Sequence, residues 1–129
     1  MGVMTLSNGL PKSERLCSLT SLRRLFADGE VGFVYPFRFT TYIERSASPT
    51  VEVLFSVPKR YHKRANRRNL LRRRMREAYR LQKHPLWQRA EEMGVAIDVA
   101  LVYSSKEVVS YKTIENAIRK ILEQVTARC

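Results

Sequence analysis

Alternating apolar and polar residues predict two short strands in the first half of the chain. The first strand, residues 33–43, starts near Pro36, since proline is poorly placed inside a ladder of hydrogen bonds. The second strand, residues 50–57, alternates in the same way. Their apolar faces carry Phe37, Phe39, Thr41, Ile43, Val51, Val53, Phe55 and Val57. Because only residues 44–49 separate them, we expect an antiparallel hairpin with helices packed on its apolar face.

Apolar residues recur with the helical period of 3.6 in the remaining segments. A short helix is predicted between a cap at Ser18 or Thr20 and Gly29, a long one at about residues 65–83 and a further turn or two at residues 86–93. The last helix begins after Ser110, which is a good N-cap. The apolar faces of the first and last helices carry Leu19, Leu22, Leu25, Phe26, Ile114, Ala117, Ile118, Ile121, Leu122 and Val125.

Residues 95–103 form a strongly apolar stretch that is interrupted only by Asp98. A strand that is apolar on both faces belongs in the middle of a sheet, so we expect this strand to be central. The element order is then α-β-β-α-β-α, an α+β fold built as a two-layer α/β sandwich with a small, mostly antiparallel sheet. We predict one domain over residues 1–129, with residues 1–11 as a loosely ordered lead-in.

Positive charge is concentrated on the long helix and the segment before it. Residues 59–83 hold half of the chain's 24 lysines and arginines, within a net charge of +12. On a helix, the apolar stripe of Leu71, Met75 and Ala78 lies opposite a stripe of Asn69, Arg72, Arg73, Arg76, Arg80 and Lys83. Such closely spaced cations repel one another unless a lattice of phosphates neutralises them. The pattern therefore predicts binding to nucleic acid, and no stretch is long and apolar enough to cross a membrane.

Residues for bond chemistry are missing. A two-metal nuclease needs clustered carboxylates, but the only aspartates, Asp28 and Asp98, lie in different elements. Cys17 and Cys129 have no ligand spacing, and we interpret them as reduced thiols of a cytoplasmic protein. We therefore predict no catalytic residue, no metal site and no cofactor for the polypeptide itself.

At the long helix, the run A-N-R-R-N-L-L-R-R-R-M-R-E resembles the RNR signature of bacterial ribonuclease P protein components. The matching residues are Ala65, Arg68, Asn69, Arg73, Arg76 and Glu77, preceded by Lys59 and Arg60. The segments 10–16 and 25–29 resemble the family too, so the resemblance extends over nearly the whole chain. Leu70 departs from the pattern, because the family often has a basic residue there.

The resemblance implies a fold with a left-handed β-α-β crossover through the basic helix, an exception to the usual rule. It also implies two RNA partners, a large catalytic RNA and precursor tRNA, with neither DNA nor a membrane as partner. The catalytic RNA would hold the Mg²⁺ ions and carry the active site. The holoenzyme, in the cytoplasm, would remove the leader that precedes the 5′ end of mature tRNA, and the protein would help to hold the leader.

Two sets of candidate site residues follow. The predicted RNA-binding residues are Lys59, Arg60, Lys63, Arg64, Arg68, Asn69, Arg72, Arg73, Arg76 and Arg80. In the family, the leader lies in a groove between the first helix and the exposed face of the sheet. By position, the residues that would line this groove are Leu22, Phe26, Arg38, Thr40 and Tyr42.

Two other functions remain open at this point. A structural rRNA-binding protein of the ribosome would carry a similar charge, but the RNR spacing favours the ribonuclease P family. A self-sufficient protein nuclease is disfavoured because the carboxylate cluster it would need is absent from the sequence.

Overall fold

One four-stranded sheet separates helices on its two faces in the computed structural model, which describes residues 19–129. The elements are α1 (Leu19–Asp28), β1 (Glu30–Val34), β2 (Phe37–Arg45), β3 (Thr50–Ser56), α2 (Ala65–Gln82), α3 (His84–Met93), β4 (Val95–Tyr103) and α4 (Tyr111–Arg128). The α+β class and the mostly antiparallel sheet predicted from the sequence are confirmed.

The strand order is β1-β2-β4-β3, with β1–β2 and β2–β4 antiparallel and β3–β4 parallel. The predicted central position of β4 is confirmed, but the predicted hairpin is wrong. β2 and β3 do not pair with each other, because β4 lies between them and pairs with β2 from Phe37↔Tyr103 to Arg45↔Val95. An apolar strand that is buried on both faces is more stable with a paired strand on each side. β4 therefore inserts between β2 and β3, although the short turn at residues 44–49 would allow those two strands to pair directly.

The segment predicted as one strand, residues 33–43, is divided between two strands. The chain turns at Tyr35–Pro36, whose peptide bond is cis, so that β1 precedes this turn and β2 follows it. Pro36 does mark the start of β2, but the sequence prediction missed β1 as a separate strand. β1 forms one edge of the sheet.

The ends of the helices follow the predicted signals. Gly94 ends α3 with a left-handed conformation, φ 64°, and its N–H donates to the carbonyl oxygen of Ala90. The hydroxyl of Ser110 caps α4 by accepting from the N–H of Thr113 at 3.3 Å. α2 and α3 connect the parallel neighbours β3 and β4, as the predicted crossover requires, while its hand stays a prediction.

The main core lies between one face of the sheet and helices α2, α3 and α4. Leu71, Met75, Ala78 and Tyr79 of α2 are all fully buried there. On the opposite face, Leu25 of α1 packs against Ala100 of β4. In the described residues, no helix is both long and apolar enough to span a membrane.

Candidate nucleic-acid interface

The basic side of α2 is rigid because the opposite side is buried. Arg73 and Arg76 point away from the core and are exposed. Neither forms a hydrogen bond or an ion pair with the residues that the structure describes. Their guanidinium groups are therefore available to bind an anion, and they sit on a helix whose buried stripe prevents it from rotating.

Three other predicted RNA-binding arginines already have partners within the chain. Arg68 donates from one terminal nitrogen to the carbonyl oxygens of His62 at 3.1 Å and Lys63 at 2.7 Å. Arg72 donates to Oδ1 of Asn69 at 2.7 Å. Arg80 donates to the carboxylate of Glu77, and this hydrogen bond holds the pKa of Glu77 below its ordinary value. These contacts fix the directions of the side chains at the cost of part of their hydrogen-bonding capacity.

The stripe of cations is shorter than the sequence predicts. Lys83 was expected at its end, but the side chain is fully buried at the junction of α2 and α3. Its backbone keeps helical angles, φ −76° and ψ −22°, and it follows the buried Tyr79 by four residues, so it lies about one helical turn beyond a buried position. Arg74 is half-buried and donates to the carbonyl oxygen of Val109 at 2.8 Å.

The basic connector, residues 59–64, leads from β3 to α2. Its anchor is His62, which is 3% exposed and donates from Nε2 to the carbonyl oxygen of Ser105 at 2.8 Å. The imidazole also packs edge-on against the ring of Tyr103, with 5.5 Å between centroids. With this residue held, the four cations of the connector remain exposed: Lys59, Arg60, Lys63 and Arg64. Sequence analysis missed this role, because one histidine among cations carries no signal of burial.

The predicted leader groove is only partly open. Phe26 and Arg38 are exposed, and the side chain of Leu22 lies outside the described part. The role of Thr40 in the groove stays a prediction, but its side chain is buried in the free protein. The physical reason is that the backbone at Gly29 closes over it, since a Cβ placed there would lie 2.8 Å from Cγ2 of Thr40.

Tyr42, the fifth predicted groove residue, is half-buried because Arg24 of α1 covers it. The Arg24 guanidinium lies 5.2 Å from the centroid of the ring, within the range of a cation–π contact. The same arginine pairs with Glu44 at 3.3 Å and with Asp98 at 3.9 Å. α1 is thus attached to the sheet by charge as well as by Leu25.

Asp98 is a buried acid at the centre of this attachment. It is 5% exposed and lies opposite Tyr42 on one side and Glu52 on the other. The pKa of Asp98 is raised to about 6, chiefly by burial; the neighbouring carboxylates of Glu52 and Glu44 also raise it, while Arg24 lowers it. The folded state therefore holds this proton more tightly than the unfolded chain does.

The burial of Asp98 predicts a pH-dependent stability. Between its ordinary pKa of 3.8 and about 6, the folded state binds more protons, so the free energy of unfolding falls as the pH rises through this window. Asp98→Asn should remove this pH dependence. The free energy of unfolding of the variant minus that of the parent should therefore be about 2 kcal/mol larger at about pH 7.5 than at about pH 4.5. Urea unfolding at both values measures the difference. Glu123→Gln, at an exposed position on α4, is the control, and an Asp98→Asn gain independent of pH contradicts the assignment.

The structure also reveals exposed apolar residues that sequence analysis did not assign to the interface. Val31 and Phe33 of β1 are 62% and 59% exposed, and Tyr35 in the following turn is 49% exposed. The alternation of Val31 and Phe33 could have predicted a strand, but nothing in the sequence distinguishes exposed from buried aromatic residues.

Comparison with known proteins identifies the family. The family model for ribonuclease P matches residues 10–126. The chain belongs to the ribonuclease P protein family. A ribonuclease P protein component of Porphyromonas gingivalis (strain ATCC 33277) is 35% identical over 119 residues, covering 91% of this chain and 86% of that protein. A component from Chlorobium phaeobacteroides is 34% identical over 88 residues, covering 63% of this chain and 60% of that protein.

Solved structures of the family share the fold. The ribonuclease P protein of Staphylococcus aureus superimposes with a TM-score of 0.69 at 18% identity, covering 88% of this chain and 96% of that one. The protein of Thermotoga maritima gives a TM-score of 0.67 at 20% identity, covering 86% and 96%. The chain is thus a protein component of ribonuclease P, a tRNA-processing endoribonuclease and ribonucleoprotein, and the ribosomal alternative is not favoured.

Proposed function

We propose that this chain binds the catalytic RNA of ribonuclease P and the leader of precursor tRNA, and so assists removal of the leader in the cytoplasm. The observation that carries the proposal is the geometry of α2. Arg73 and Arg76 are exposed and unpaired among the described residues, on a helix that is fixed by a buried stripe. Because the helix is already fixed, its cations bind phosphates without a further loss of backbone freedom, and they release the counterions of the RNA.

The two parts of the basic surface have different roles in this proposal. α2 and the basic connector bind the phosphates of the catalytic RNA, with Arg68 and His62 holding the connector in shape. The α1 side of the sheet binds the single-stranded leader, with Phe26 as a stacking surface and Arg38 as a cation. Within residues 19–129, no group of three acidic, histidine or cysteine side chains is placed to hold a metal ion.

Hydrolysis itself is assigned to the RNA. The catalytic RNA would bind Mg²⁺, which activates a water and stabilises the leaving oxygen. The polypeptide's contribution is to neutralise phosphates near the cleavage site, so that the RNA folds and holds its ions at a lower Mg²⁺ concentration.

The test is cleavage of precursor tRNA by the catalytic RNA with and without this protein. At low Mg²⁺ the protein should raise the cleavage rate at least about 10-fold, because its cations replace part of the ionic screening that Mg²⁺ supplies. At high Mg²⁺ the difference should shrink. A basic ribosomal protein at equal concentration is the control, and equal stimulation by both proteins would leave the effect to non-specific charge and refute the proposal.

A further inference from the structure

The exposed apolar residues of β1 and its turn form one surface, which we call the β1 strip: Val31, Phe33 and Tyr35. With Phe26, they make up four of the seven large exposed hydrophobic residues in the described part of the chain, all within residues 26–35. Such clustering is unusual on a protein surface and marks a binding site. It is more unusual on an edge strand, which proteins normally protect with charged residues.

The register of β1 places the strip beside a predicted leader residue. Phe33 lies directly opposite Arg38, and Val31 lies directly opposite Thr40. Directly opposite residues of an antiparallel pair point to the same face of the sheet. The exposed ring of Phe33 and the exposed guanidinium of Arg38 are therefore neighbours on the α1 side.

The other face of β1 is closed. The ring of Phe39 lies against Gly32, where a Cβ would come within 2.4 Å of the ring. At the middle of β1 a ligand therefore meets the α1 side, where the aromatic ring and the cation are found together. Single-stranded RNA needs this combination, because its bases stack on aromatic rings while cations neutralise its backbone.

The strip is also continuous with the basic connector. The Tyr35 hydroxyl lies 3.2 Å from the hydroxyl of Ser105, and the carbonyl oxygen of Ser105 accepts from His62. The end of the strip and the anchor of the connector thus meet at one residue. The strip therefore lies between the predicted leader groove and the connector, so a leader bound on it would run beside the surface proposed for the catalytic RNA.

We propose that the β1 strip binds the upstream nucleotides of the precursor-tRNA leader, beyond those held between α1 and the sheet. Phe33 and Tyr35 each stack on one base, and Arg38, at the border of the groove and the strip, neutralises the phosphate where the leader passes from one to the other. This inference rests on the proposed function and adds a length dependence to it. Leaders long enough to reach β1 bind more tightly than leaders that end before it.

The test compares two substrates in the reconstituted holoenzyme, one with a leader of about ten nucleotides and one with about three. Phe33→Ala should weaken binding of the long-leader substrate about 10-fold and leave the short-leader substrate unchanged. Phe33→Trp should restore binding, because it keeps a stacking surface. Val108→Ala, at an exposed apolar position outside the strip, should change neither.

The possible outcomes separate this proposal from the one it rests on. If the wild-type protein stimulates cleavage but Phe33→Ala binds both substrates equally well, or equally poorly, the β1 strip does not bind the leader. If the wild-type protein stimulates neither substrate, the proposed function fails and the role of the strip fails with it. If sedimentation shows a wild-type dimer that Phe33→Ala dissociates, the strip is a contact between copies, and the proposal is overturned.

Discussion

Replacing Arg73 and Arg76 together with alanine is expected to weaken binding to the catalytic RNA about 100-fold at constant salt. Each charge-assisted hydrogen bond to a phosphate contributes about 1.5 kcal/mol, so two lost bonds give about 3 kcal/mol. Stability should change little, because both side chains are exposed and contact no described residue through a hydrogen bond or an ion pair. Removal of two repelling cations from one helix face should even favour the helix slightly.

The salt dependence shows whether the loss comes from phosphate contacts. If the parent protein contacts about six phosphates, log K should fall with log salt at a slope of about −4 to −5. The double variant should flatten this slope by about 1.5. The matched control is Arg119→Ala with Lys120→Ala, which removes the same charge from exposed positions on α4. Equal effects of the two pairs would show that net charge matters and that α2 is not the contact face.

The sequence predicts α2 well because its two faces differ in kind. A buried stripe at Leu71, Met75 and Ala78 and a cationic stripe centred on Arg73 and Arg76 both follow from a local period of 3.6 residues. The helix and the directions of its two faces can therefore be predicted without knowing which elements pack against it. The RNR spacing then indicates the ribonuclease P protein family, and the comparison with known proteins confirms this membership.

Pairing of the strands could not be predicted in the same way. Local alternation indicates that β2 and β3 are strands, but their partners depend on β4, which lies about 40 residues further along the chain. β1 was missed as a separate strand because the alternation of Val31 and Phe33 continues in phase with Phe37 and Phe39 of β2, so the turn at Tyr35–Pro36 leaves no gap in the pattern. A pattern of hydrophobic residues is normally interpreted as a buried face, and on β1 it marks the opposite.

Individual side chains were misplaced where tertiary contacts decide burial. Lys83 is predicted on the cationic face by its position in the helical period, yet its side chain is fully buried where α2 meets α3. Thr40 is predicted in the groove by alternation, yet the end of α1 covers it. Lys83 lies at the junction of two helices, whereas Thr40 lies within β2 and points to the predicted face, so in both cases the burial is decided by the packing of a neighbouring element.

The junction of α1 and β1 is therefore where a small change should have a large effect. Gly29 donates its N–H to the carbonyl oxygen of Leu25 at 2.9 Å as the chain leaves α1. A Cβ at this position would lie 2.3 Å from the same carbonyl oxygen and 3.1 Å from that of Thr41. Both are backbone atoms of packed elements, so neither can move without separating α1 from the sheet.

Gly29→Ala is accordingly expected to lower the free energy of unfolding by about 3 kcal/mol, as overpacking against fixed backbone does. The damage should be local, because α2 packs on the other face of the sheet. Hydrogen exchange should accelerate in α1 more than in α4, and binding of the leader should weaken while binding of the catalytic RNA through α2 is retained.

Ala27→Ser, at an exposed position of the same helix, is the control for an added atom. A Gly29→Ala protein with unchanged unfolding and unchanged exchange in α1 would contradict the close contact, whereas equal loss of leader and catalytic RNA would contradict the separation of the two sites.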